Sequence, residues 1–80
     1  MTKKIFVSVG IDEEFPKSVI LRNETVGQFR TKYAAELEVP VNNIELSTET
    51  KKLTNDSVRL ADQVEEDDTI HVIPRAKAGR

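Results

Sequence analysis

Thr25-Val26-Gly27-Gln28-Phe29-Arg30-Thr31-Lys32-Tyr33-Ala34-Ala35-Glu36-Leu37-Glu38-Val39-Pro40 is the segment of this chain that carries a helical period. Val26, Phe29, Tyr33 and Leu37 recur as one stripe, Ala34 widens it, and Arg30, Lys32, Glu36 and Glu38 fall mostly off it, the spacing of a helix buried along one side. Thr25 followed three residues later by Gln28 is a capping box that starts the helix at Val26. Pro40 disfavours helical geometry at Val39, so the helix is predicted to end near Glu38.

Upstream, Ile5, Val7 and Val9 alternate with Lys4, Phe6 and Ser8, the period of a strand covered on one face. Gly10 opens a turn, Asp12-Glu13-Glu14 is a charged run, and Ser18-Val19-Ile20-Leu21-Arg22 reads as a returning strand that completes a hairpin. Pro16 stands just before it, where a missing N–H is tolerated. Downstream, Asn43-Ile44-Glu45-Leu46-Ser47 alternates again, and a short extended piece is expected around Leu53. Val58, Leu60, Ala61 and Val64 anchor a turn or a single helical turn, Thr69 to Ile73 is the last strand, and Pro74 is expected to end the ladder.

Two strands, a helix and two strands form an α+β plan, with one helix packed on one face of a mixed sheet. This is the β-β-α-β-β order of a β-grasp. The two terminal strands bury best as parallel neighbours at the sheet centre. The ordered domain is read as residues 1–74, with 75–80 as a flexible tail. Ile5, Val7, Val19, Leu21, Ile44, Leu46, Ile70 and Val72 then face the helix. Phe6, Ile20, His71 and Ile73 point outward, where exposed apolar groups on a sheet form a candidate docking surface.

Composition narrows the function. Eighty residues with net charge −2, no cysteine and one histidine describe a small single domain. Folding at this size buries only about 60% of the unfolded surface, which leaves little core for a catalytic cavity. No nucleophile, base and orienting group stand together, so no catalytic residue is expected. No cofactor and no metal site are expected either: His71 has no spaced partners, and Glu65-Glu66-Asp67-Asp68 lacks a calcium-loop spacing. Lysines and arginines are scattered without a basic stripe, which argues against nucleic acid. The apolar runs are too short for a signal segment or a membrane span, and the chain is expected to be a monomer of the cytoplasm or nucleus.

The segment Pro74-Arg75-Ala76-Lys77-Ala78-Gly79-Arg80 has no strand or helix pattern. Together with Lys32-Tyr33-Ala34-Ala35-Glu36, Val39-Pro40 and His71-Val72-Ile73-Pro74-Arg75, it makes the chain resemble the ubiquitin-like modifiers, and among them the ubiquitin-fold modifier (Ufm) family. The resemblance implies a ubiquitin-like β-grasp whose Gly79 becomes the mature terminus once a cysteine protease removes Arg80. It implies activation with ATP, passage as a thioester through activating, conjugating and ligase proteins, and an isopeptide bond to target lysines. Val72, Ile73 and Pro74 would help seat the domain on the activating enzyme, with Arg75, Lys77 and Ala78 guiding the tail. Many ubiquitin-like proteins end in two glycines and this chain does not, which favours the Ufm type.

The chemistry fits the residues. A carboxyl group that must be adenylated, moved to thiols and attacked by an amine needs an open carbonyl, and glycine has no Cβ to obstruct it. Four residue steps from Arg75 to Gly79 reach roughly 13 to 14 Å when extended, and Ala76 and Ala78 keep that reach thin. Lysines 3, 4, 17, 32, 51, 52 and 77 are possible acceptors of further modifiers, although Glu65 stands where the family carries its chain-building lysine. Glu45 and Ser47 stand where ubiquitin presents an apolar residue, so ubiquitin receptors are expected to bind poorly. The alternative is a non-conjugated ubiquitin-like interaction domain, and a sulfur carrier ending in a thiocarboxylate is the third reading.

Overall fold

The computed structural model describes residues 2–10 and 16–75. Thr25 lies in extended backbone and caps a helix, α1 (Val26–Leu37). Its hydroxyl accepts from the Gln28 N–H at 3.1 Å, and the Gln28 side chain accepts from the Thr25 N–H at 2.9 Å, the predicted reciprocal box. Val26, Phe29, Tyr33 and Ala34 are buried, and Leu37 is half-buried against the same core. The Phe29 and Tyr33 rings meet at 5.0 Å between centroids, an aromatic pair one helical turn apart. Glu38 stops the helix in the left-handed region at φ 59°. There the N–H groups of Glu38 and Val39 close on the carbonyls of Ala35 and Ala34, which satisfies acceptors the helix would otherwise leave open.

The strands are β1 (Lys3–Val9), β2 (Lys17–Leu21), β3 (Ile44–Ser47) and β4 (Thr69–Pro74), in the order β2-β1-β4-β3. β1 runs antiparallel to β2 and parallel to β4, and β3 runs antiparallel to β4. The terminal strands therefore pair in parallel at the centre, as expected. Ile5, Val7, Leu21, Ile44, Leu46, Ile70 and Val72 are buried on the α1 side, and Val19 near the β2 edge is half-buried. This is the α+β β-grasp with one helix on one face.

Two details differ from the sequence reading. The turn Val41–Asn43 is 3-10 helical and absorbs Asn43, so β3 starts one residue later. β4 runs one residue beyond Ile73, with Pro74 opposite Ile44 as its last pair, and Arg75 adds one more backbone bond to the Asn43 carbonyl at 2.7 Å. Proline removes one donor, but the following residue supplies another. Between β3 and β4 the structure follows the expectation: Leu53 donates to the Leu46 carbonyl at 2.9 Å in extended pairing, and the 3-10 turn Leu60–Asp62 lowers Leu60 into the core at 0% exposure. Asp12-Glu13-Glu14 and residues 76–80 lie outside the described residues.

Candidate functional site

The tail root is built on β3 and β4. Arg75 is held twice: its N–H donates to Asn43, and its Nε donates to Glu45 Oε1, both at 2.7 Å. The other Glu45 oxygen faces Lys52 Nζ at 3.2 Å. Lys52 reaches that position because it bridges to Ser47 alongside β3. The Glu45 carboxyl is held below its ordinary range, first by the hydrogen bond from Lys52 and then by that from Arg75, since both donate to the charged form. Arg75, read from the sequence as the first residue of a free tail, is thus tied to the domain. Ile73 faces outward beside Glu45, and Pro74 is half-buried.

Val72 requires a correction. Its side chain is 0% exposed beneath α1, so it cannot touch an activating enzyme. Its role is to pack β4 in place, because alternate strand residues face opposite sides and only Ile73 of this pair reaches the outer surface. Lys77, Ala78, Gly79 and Arg80 lie outside the described residues.

Pairing register assembles the outer face. Ile20 stands opposite Lys4, Phe6 opposite Ser18 and Thr69, His71 opposite Ser8 and Ser47, and Ile73 opposite Glu45. Ile20, Phe6, His71 and Ile73 therefore run as a diagonal stripe from β2 across β1 to β4, each within diagonal side-chain reach of the next. Ile20 is 48% exposed. Phe6, His71 and Ile73 are half-buried, and Lys4 Nζ lies 5.3 Å from the Phe6 ring centroid, a cation over an aromatic face. The stripe ends beside the tail root. Its flanks are Ser8, Ser18, Ser47, Thr69 and Glu45, so it is narrow and polar-edged rather than a broad apolar patch.

No protein-family model matches the chain, and no curated protein matches it by sequence. Solved structures match it closely in shape. The C-terminal ubiquitin-like domain of mouse tubulin-specific chaperone e superposes with a TM-score of 0.83 at 21% identity, covering 100% of this chain and 93% of that one. Caldiarchaeum subterraneum ubiquitin does so at 0.72 and 24% identity, covering 99% and 100%. The ubiquitin-like domain of tubulin-binding cofactor B gives 0.76 at 14% identity, covering 91% and 89%. The fold is ubiquitin-like. These neighbours include both a ubiquitin and ubiquitin-like domains of larger proteins, and at such identities the likeness is one of architecture.

Within this ubiquitin-like frame, two roles escaped the sequence. Arg30 was placed off the buried stripe, yet its guanidinium donates to the Ile44 carbonyl, to the Leu53 carbonyl at 3.1 Å and to Asp56, tying α1 to β3 and to the following loop. Lys3 Nζ donates to the Ala61 and Val64 carbonyls, each at 2.7 Å. The role of Glu45, a third, had a signal: a glutamate on the outward parity of β3, two residues beyond Asn43, whose carbonyl accepts from Arg75. That signal becomes visible only once the β3–β4 register is known.

Proposed function

We propose that the chain is a ubiquitin-like protein modifier of the Ufm type, a substrate of conjugating machinery rather than an enzyme. Protease trimming exposes Gly79, ATP-dependent activation and thioester transfer follow, and the Gly79 carbonyl is delivered to target lysines. One observation carries the reading: β4 delivers Arg75 to the rim of the sheet, and the sequence places Gly79 four residues beyond it, roughly 13 to 14 Å of reach. The deciding experiment mixes forms ending at Ala78, Gly79 and Arg80 with ATP and a Ufm-type activating enzyme. A thiol-sensitive adduct from the Gly79 form alone supports the reading. No adduct from any folded form rejects it.

The second reading, a non-conjugated interaction domain, is favoured by the similarity to ubiquitin-like domains of tubulin chaperones and by the exposed stripe ending at Ile20. Under it, Ile20→Glu abolishes partner binding while removal of residues 76–80 does not.

A further inference from the structure

We infer that Glu45 is a positioning residue for the tail: anchored by Lys52, it fixes Arg75 so that the guanidinium is already aimed when an acidic group of the activating enzyme arrives. The inference rests on the modifier reading above. Three contacts form one chain of restraint. The Arg75 backbone is pinned to Asn43 at 2.7 Å, its Nε to Glu45 at 2.7 Å, and Glu45 to Lys52 at 3.2 Å. Lys52 is itself set by its bridge to Ser47, so the arrangement is referred back to β3 rather than to the tail.

The guanidinium is a planar fork with five N–H donors. Only Nε is engaged among the described residues, which leaves both Nη groups to grip a carboxylate in two-pronged fashion. An arginine on an unrestrained terminus loses rotamer freedom when it docks, and prior fixation removes that loss. Glu45 also offsets part of the Arg75 charge and so weakens its long-range pull. At the exposed rim, salt and water screen that pull strongly, so geometry outweighs charge. The pair contributes orientation to binding rather than stability to the fold, as expected of exposed ion pairs.

The test uses the chain ending at Gly79, whose described fold closes at Arg75, in steady-state thioester formation with a Ufm-type activating enzyme. Glu45→Ala is expected to raise KM for the modifier roughly 3- to 10-fold, the loss corresponding to one re-mobilised long side chain, with kcat unchanged. Glu45→Gln, whose amide oxygen still accepts from Nε, is expected to recover part of this. In an Arg75→Ala background, Glu45→Ala should have no further effect, since coupled residues are non-additive. Unchanged or lowered KM in Glu45→Ala overturns the inference, as does an equal rise in the Arg75→Ala background. Failure of the unsubstituted chain to form any thioester is a different result, and removes the modifier reading and this inference together.

Discussion

Glu45 and Arg30 show how differently two charged side chains act on the same strand. Lys52 and Arg75 lower the Glu45 pKa, so the charged arrangement that holds Arg75 is fully formed above the ordinary glutamate value of about 4.3 and is lost as pH falls through the lower folded value. Its carboxyl carbon, followed by NMR, should titrate below that ordinary value and move upward in Lys52→Ala. A midpoint at or above the ordinary value would contradict the arrangement. Arg30 is a matter of stability. Its ion pair with Asp56 has an exposed partner and contributes little, whereas the Ile44 and Leu53 carbonyls lose their charged donor when Arg30 is removed. Arg30→Ala should cost about 2 to 3 kcal/mol in urea unfolding. Arg30→Lys should recover less than half, because a single ammonium cannot span acceptors arranged for a planar fork.

At the scale of elements, α1 was legible because three independent signals agree on it: the Thr25–Gln28 box, the buried stripe, and the stop before Pro40. β1 and β4 were legible from alternation. What alternation does not reveal is which distant backbone an element approaches. Gly27 is the case in point. Its N–H donates to the Asp56 carbonyl at 3.1 Å, and an added Cβ would lie 2.9 Å from Asp56 Cβ and 3.1 Å from its carbonyl oxygen. Alanine at a helical position normally gains about 1 kcal/mol over glycine, but here the clash is with backbone and Cβ rather than with a yielding side-chain end. Gly27→Ala is therefore expected to destabilise by about 1 kcal/mol net, measured by urea unfolding. A gain in stability would mean that the Asp56 turn gives way freely. The segment 48–64 was the least legible because its fixed points are single hydrogen bonds and isolated apolar anchors, which have no period. The members of the diagonal stripe were legible from outward parity in each strand, but their order across strands depends on register.

Across the whole molecule, the first and last strands are adjacent, so the sheet closes only when both ends of the chain have come together. Such sequence-distant pairing makes folding cooperative and places β4 beyond compromise. Cutting the chain after Arg75 retains the Asn43 and Glu45 contacts and all of β4. Its melting temperature should stay within about 2 to 4 °C of the full chain, the shift produced by roughly half a kilocalorie in a domain of this size. Cutting after His71 removes Val72, which is fully buried, together with Ile73 and Pro74, the β4 partners of Glu45 and Ile44, and should unfold the domain in circular dichroism. The pair of truncations separates fold from function. If the chain ending at Arg75 melts normally, yet forms no covalent product where the form ending at Gly79 does, the reaction belongs to the last residues and the sheet serves as their carrier. If it melts normally and still engages its partners without any covalent product from either form, the outer stripe is the working surface. Ile20, Phe6, His71 and Ile73 then become the residues on which recognition turns.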